Sequence, residues 1–236
     1  MIRALVVALG FLTRLPLPRV EVSERDWTAS IRCYPLAGLI VGAIVAVSGA
    51  LAGSRDPWLG ALAALVGWVA LTGALHLDGL SDLADALGAA HGDRARLLRV
   101  LAEPQVGSFG VVAITLQLLA KLVLLHTLPP EGWSTLPLVV AAARAGPLAW
   151  ARWLPPLKSG LGATLAGAVR VRDLAGWSAL LLGAGVLRPA LLAALPLIGL
   201  YGWWLKRRLG GINGDAHGAG VELVETGLLV AVVALG

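Results

Sequence analysis

Seven apolar stretches dominate this chain: 35–53, 58–75, 106–126, 136–154, 174–187, 189–205 and 221–236. Most approach the roughly 20 helical residues that cross a hydrocarbon layer about 30 Å thick. In lipid every backbone N–H and C=O needs a partner inside the protein, so stretches of this kind fold as helices. Composition agrees, because 58% of the 236 residues are hydrophobic and 14% charged, against about 25% charged in a soluble domain. So few polar side chains cannot coat a water-facing surface. The expected fold is all-α, a polytopic helical integral membrane protein with about seven transmembrane helices plus short interfacial helices. It is read as one helical membrane domain over 1–236, with no soluble domain or fixed-period repeat. The stretch 174–187 is short and starts at Arg172-Asp173, which suits half-insertion. The run 4–12 is also too short to span. It is followed by Thr13-Arg14-Leu15-Pro16-Leu17-Pro18 rather than a small-residue cleavage site, so it reads as an interfacial or re-entrant helix that stays on the protein.

Loop charges give an independent orientation. Arg14, Arg19, Arg25 and Arg32 precede the first stretch, and Arg94, Arg96 and Arg99 lie between the second and third. Arg152, Lys158, Arg170 and Arg172 follow along the fourth, and Lys206, Arg207 and Arg208 follow the sixth, whereas the alternate loops carry Arg55 and Arg188. This alternation places the N-terminus and the basic loops in the cytoplasm. It also accounts for the net charge of +5 and the pI near 10.1 without a nucleic-acid partner. The single cysteine, Cys33, excludes an intramolecular disulfide and a cysteine-based zinc or iron–sulfur site. Trp58, Trp133, Trp153, Trp203 and Trp204 sit near the ends of stretches, as an aromatic belt does.

Four constellations carry chemistry. Asp78, Asp82 and Asp85 stand at i, i+4 and i+7, which puts them within an arc of roughly 60° on a helix. Leu80, Leu83 and Leu87 take the opposite face. Like charges on one stripe repel, and a divalent cation removes the repulsion. A capped interfacial helix with Asp78 at its N-cap explains one aspartate, not three. His76 stands just before the stripe, and Gly79 lets a neighbour approach the backbone. The second constellation is Gly210-Gly211-Ile212-Asn213-Gly214-Asp215-Ala216-His217-Gly218-Ala219, followed by Glu222 and Glu225. It suits oxyanion binding at a helix start, and equally an Asn-Gly turn with an aspartate cap. The third, Glu103-Pro104-Gln105-Val106-Gly107-Ser108-Phe109-Gly110, offers Glu103 to a metal shell or is a loop entering a small-residue packing face. The fourth is cationic. Lys121 and Arg144 lie within apolar stretches, where an unpaired charge costs at least ~2.5 kcal/mol. Lys121 can snorkel, whereas Arg144 pairs with a carboxylate or binds phosphate, and Arg14 at the interface is suited to either task.

Clustered carboxylates with nearby cations suit magnesium-assisted phosphoryl chemistry. The CDP-alcohol phosphotransferases follow the same logic, but their motif continues Asp-Gly with Ala-Arg, and Asp78-Gly79 here continues Leu80-Ser81-Asp82. An ion-coupled transporter is the rival from another class, although it predicts acids near the midplane rather than on one side.

Taken in order, Phe11-Leu12-Thr13-Arg14-Leu15-Pro16, Tyr34-Pro35-Leu36-Ala37-Gly38, the segment Leu75 to Asp85, Gly107-Ser108-Phe109-Gly110 and Gly214-Asp215-Ala216-His217-Gly218-Ala219 resemble the cobalamin synthase family. The most specific part is His-x-Asp-Gly-x-x-Asp-x-x-Asp. The chain departs from the family at Glu103-Pro104-Gln105, where Asp-Ser-Arg is expected. The resemblance implies a magnesium-dependent transferase of a bacterial inner membrane, multi-pass, with its active site facing the cytoplasm. It would join α-ribazole, or its 5′-phosphate, to adenosylcobinamide-GDP with release of GMP; cobalt is substrate cargo. On this reading Asp78, Asp82, Asp85 and Asp215 bind Mg²⁺, with Asp82 the choice for the hydroxyl proton. Arg144, Lys121 and Arg14 contact phosphates, and His76, Asn213, Asp215 and Glu103 complete the substrate site. Glycine-rich spans allow a homo-oligomer.

Overall fold

The computed structural model describes residues 2–18, 20–103, 105–157 and 167–235. Arg19, Pro104 and Lys158 of the charge and loop readings, and the last residue of the seventh stretch, lie outside the described residues. In chain order the helices are α1 (Ile2–Leu12), α2 (Glu24–Ser30), α3 (Tyr34–Gly53), α4 (Pro57–Thr72), α5 (Leu75–Ala90) and α6 (Arg94–Val100). They continue with α7 (Ser108–His126), α8 (Pro130–Ala143), α9 (Gly146–Trp153), α10 (Val171–Leu187), α11 (Ala194–Arg208) and α12 (Gly214–Leu235). Short 3₁₀ turns at Ile31–Cys33 and Pro189–Ala193 lead into α3 and α11. Among the described residues the only β pairing is an isolated bridge between Pro156 and Ile212.

Four helical segments, Glu24–Gly53, Ser108–His126, Pro189–Arg208 and Gly214–Leu235, are long and apolar enough to cross a membrane. The pair α4–α5 makes a fifth only when taken together across an 84° bend. Three of the seven expected stretches therefore look different in three dimensions, the second because α4 reaches span length only together with α5. The fourth is interrupted at Arg144-Ala145, between α8 and α9, and the fifth is the 17-residue α10. The acid-bearing α5 turns away from α4 and stands apart from the four crossing segments, in keeping with its three aspartates.

The main apolar core joins Val41 and Val45 of α3, Ala61 and Ala64 of α4, Leu136 and Val139 of α8, and Leu228 and Leu229 of α12. A second cluster, built on Ala8 and Leu12 of α1 with Ile31, Tyr34 and Leu148, fastens the N-terminal helix to the bundle. The run 4–12 thus packs on the protein. Thr13 closes α1, its hydroxyl donating to the Leu9 carbonyl at 2.7 Å.

Candidate active site

Two backbone features bring the acidic motifs together. Helix α4 ends at Gly73 (φ 60°), and Ala74 repeats the left-handed conformation (φ 58°) before α5 begins. Left-handed residues stop a helix and redirect the chain, and two in succession give the 84° turn. Arg14 lies across this turn. Its backbone N–H donates to the Leu71 carbonyl at 2.7 Å, and a side chain at Gly73 would meet Arg14 Nε.

Redirected in this way, α5 runs against the start of α12. At the crossing a Cβ on Gly79 would stand 2.6 Å from the Asp215 carbonyl oxygen, and one on Gly218 would stand 3.3 Å from His76 Cα. Both motifs place glycine where the backbones touch, which carries Asp78 and Asp215 into one neighbourhood. Asn213 starts α12 as a cap, its Oδ1 accepting the Ala216 N–H at 3.0 Å and its Nδ2 donating to Asp215 Oδ2 at 2.7 Å. The Tyr201 hydroxyl donates to the Ala216 carbonyl at 2.7 Å and steadies the same turn.

A cavity of about 230 Å³ opens at this crossing, and His76, Asp78, Arg144, Asp215 and His217 line its polar part. Arg144, 1% exposed, stands at the break between α8 and α9. Its Nη1 donates to the Val140 carbonyl at 3.0 Å and to Glu225 Oε1, while Nε and Nη2 have no partner among the described residues. A guanidinium offers five N–H donors, and buried ones left unpaired are costly. Such a group beside a cavity is equipped to receive an anion. His217 likewise lines the cavity with its Nδ1 unpartnered.

The three aspartates of α5 have different surroundings. Asp78 is exposed into the cavity. Asp82, one turn on, is half-buried, and its carboxyl is pushed up to about 6 by burial and then by the charges of Asp215, Asp78 and Asp85. Asp85 is buried and accepts the Gly107 N–H at 2.7 Å and the Gly110 N–H at 2.9 Å, holding the start of α7. Among the described residues no three His, Cys, Asp or Glu side chains converge closely enough to hold a metal ion unaided.

Of the residues expected at the site, Asp82, Asp85, Asn213, Lys121, Arg14 and Glu103 do not line the cavity. Lys121 is 2% exposed and already satisfied, with Nζ 2.7 Å from Glu222 Oε2, 2.5 Å from Glu225 Oε2 and 4.3 Å from the centre of the Trp68 ring. A cation paired in this way is not free for a phosphate. Glu103 is exposed beyond α6. Residues to which sequence reasoning assigned no role enter instead. Glu225 orients Arg144, and Phe11, Trp27 and Tyr34 line the far part of the cavity. The sequence did carry one signal for Glu225: two glutamates in an apolar stretch require cations, and Lys121 and Arg144 lie inside other apolar stretches.

Fold and site together define a class, a polytopic helical membrane protein with an acid- and arginine-lined cavity where α5 crosses α12. The model of the family described as CobS, cobalamin-5-phosphate synthase, matches residues 4–233, and the chain belongs to that family. A Novosphingobium aromaticivorans protein named adenosylcobinamide-GDP ribazoletransferase is 54% identical over 239 residues, covering 99% of this chain and 97% of the relative. A relative of the same name from Thiobacillus denitrificans is 49% identical, covering 99% and 96% of the two chains. One from Brevibacillus brevis is 34% identical, covering 98% and 97%. No solved structure matches the chain.

Proposed function

We propose that this chain is an adenosylcobinamide-GDP ribazoletransferase. It joins α-ribazole, or its 5′-phosphate, to adenosylcobinamide-GDP, forming adenosylcobalamin, or its 5′-phosphate, and releasing GMP. The observation that carries the reading is Arg144, a buried guanidinium with two unpartnered nitrogens, in the wall of the cavity that Asp78 and Asp215 also line. Carboxylates and a guanidinium with unpartnered N–H groups around one space suit a phosphate that arrives with a metal ion.

The donor set fits Mg²⁺. It is all oxygen, two carboxylates reach the cavity, and Mg²⁺ is commonly held by one or two carboxylates with substrate phosphates and water completing the shell. The absence of a three-residue cluster among the described side chains agrees with a site that the diphosphate completes. In the proposed arrangement Asp78 and Asp215 hold the ion, with Asp82 beside them. Bound there, Mg²⁺ offsets the charge that builds on the departing GMP. Arg144 binds oxygen on the phosphorus under attack, and Glu225 keeps its guanidinium turned for that contact. Asp82, whose proton affinity is raised toward neutrality, takes the proton of the attacking ribose hydroxyl. The protein is placed in a bacterial plasma membrane with this cavity open to the cytoplasm, as the loop charges favour.

The test is GMP release by the purified chain from adenosylcobinamide-GDP and α-ribazole. Turnover that vanishes in excess EDTA, returns with Mg²⁺ and falls about a hundredfold or more in Asp78→Asn supports the reading. Full turnover in EDTA overturns the metal assignment, and no GMP release under any condition overturns the reaction.

A further inference from the structure

The cavity has a second part that the phosphate chemistry does not use. Phe11 of α1, Trp27 of α2 and Tyr34 at the start of α3 line it with the aliphatic side chains of Leu12, Ile31 and Leu75. The Phe11 and Trp27 rings meet edge to face with centroids 5.2 Å apart at 86°, and Phe11 and Tyr34 stack at 6.2 Å and 22°. A capping box fixes the start of α2, the Asp26 N–H donating to Ser23 Oγ at 3.1 Å, so Trp27 stands in a set place on the first turns. Its indole Nε1 is buried and has no hydrogen-bond partner among the described residues. A buried indole N–H ordinarily has one.

We infer that this aromatic part of the cavity is the subsite for the base of the riboside acceptor, a neutral bicyclic aromatic base that stacks on Phe11 and accepts a hydrogen bond from Trp27. The inference rests on the ribazole-transfer reading and deepens it by assigning the acceptor's place and the residues that select it. Two arguments separate this occupant from the other aromatic base in the reaction. The wall is aromatic and aliphatic, with no carboxylate or side-chain amide, and includes Trp27, whose indole N–H lacks a partner among the described residues. That complements a benzimidazole-type base, which is apolar apart from one acceptor nitrogen. Guanine brings ring and exocyclic N–H donors that this wall would leave largely unpaired. The second argument is continuity. One partly open space of about 230 Å³ joins the aromatic wall to Asp78, Arg144 and Asp215. Its size suits a small ring system with its sugar, and a base on the aromatic side leaves the ribose hydroxyls on the acidic side.

The experiment measures KM for both substrates with the full chain in detergent, for wild type, Phe11→Leu and Trp27→Phe, and equilibrium dialysis of α-ribazole without the corrinoid. Trp27→Phe keeps the ring and removes the N–H. KM and Kd for α-ribazole should rise about three- to tenfold, with KM for adenosylcobinamide-GDP unchanged. Phe11→Leu should weaken α-ribazole comparably. An indole riboside, which lacks the acceptor nitrogen, should bind wild type more weakly than α-ribazole and should not distinguish wild type from Trp27→Phe. The inference is overturned by folded variants that bind α-ribazole like wild type, or by a rise confined to adenosylcobinamide-GDP. It is overturned on wild type alone, whatever the variants' folding, if the indole riboside binds as tightly as α-ribazole. A wild-type chain that binds α-ribazole but releases no GMP would refute the transfer reading and not the subsite.

Discussion

Lys121 separates a structural from a catalytic use of intramembrane charge. Four buried side chains form one set: Lys121 and Arg144 against Glu222 and Glu225, none more than 5% exposed. Formal charge sums to zero, and Gln117 adds a hydrogen bond of 2.8 Å to Glu222 Oε2. Lys121→Met leaves two carboxylates facing Arg144, so one buried negative charge has no counterion. Breaking a buried pair from one side costs about 3–5 kcal/mol, a large share of a total stability of about 5–15 kcal/mol. The thermal midpoint in detergent should fall on the order of 10 °C. Adding Glu222→Gln to the same chain removes a cation and an anion together and leaves the Arg144–Glu225 pair intact. Replacing a whole buried pair by neutral groups is often close to neutral for stability, so the double variant should recover most of the lost midpoint and keep GMP release near wild type. The cycle is read by thermal unfolding of both singles and the double, with KM for adenosylcobinamide-GDP measured alongside. A double variant no more stable than Lys121→Met would refute the charge-balance argument. A stable double variant with a greatly raised KM for that substrate would show that Lys121 meets phosphate after all.

Three further outcomes are expected. Asp82 holds its proton up to about 6 rather than the ordinary 3.8, so between those values the folded, metal-free chain binds a proton that the unfolded chain has released. Stability contributed by Asp82 is therefore present below that window and lost as pH rises through it. Midpoints measured across the window should show this slope in wild type and not in Asp82→Asn, and Mg²⁺ should raise the wild-type midpoint above pH 6; a slope unchanged by Asp82→Asn would contradict the assignment. Asp85→Asn loses a charged acceptor shared by the Gly107 and Gly110 N–H groups, so it should cost about 1–2 kcal/mol, as loss of a helix cap does. Its Mg²⁺ requirement should change less than that of Asp78→Asn, which titration of GMP release against Mg²⁺ decides. Gly79→Ala drives a Cβ into the Asp215 backbone and should lower stability by about 1–3 kcal/mol through overpacking, together with activity; an unaltered midpoint would mean that α5 and α12 do not cross as described.

The acidic motifs were legible because each pairs its acid with the glycine that the fold needs, Asp78-Gly79 on α5 and Asp215 with Gly218 on α12. Helical periodicity also grouped Asp78, Asp82 and Asp85 correctly along one stripe, but spacing treats the three as equivalent. The N–H groups that turn Asp85 into an anchor come from Gly107 and Gly110, 22 and 25 residues away. The cations show the same limit more sharply. An apolar stretch containing Lys121 or Arg144 announces that a partner exists, yet Glu225 lies 104 residues from one and 81 from the other. Span boundaries suffered from local conformation. Left-handed Gly73 and Ala74 break one run, and the Arg144-Ala145 junction breaks another, in stretches that hydropathy alone reads as continuous. The aromatic wall was hidden for a different reason. Its residues come from α1, α2 and α3, and only the packing of α1 across the bundle brings them together.

What sorts these charged groups is the location of each counterion. Glu222, Glu225 and Lys121 are neutralised within the protein, so their charge fixes how α7, α8 and α12 sit together and has little left to offer a ligand. Asp85 is neutralised by backbone dipoles at the start of α7. Asp78 and Asp82 remain with other carboxylates as neighbours, and that crowding raises the proton affinity of Asp82. Arg144 belongs to both sets: one nitrogen is tied to Glu225, while Nε and Nη2 stand unpartnered beside the cavity. The protein therefore holds an excess of negative charge on one side of the cavity and half of a satisfied cation on the other. The first would repel a bare anion, and the second offers N–H donors but no ligand to a bare divalent cation. A diphosphate arriving with a divalent cation would satisfy both at once, so on the proposed reading the substrates' chemistry, and not the acids alone, determines what this site does.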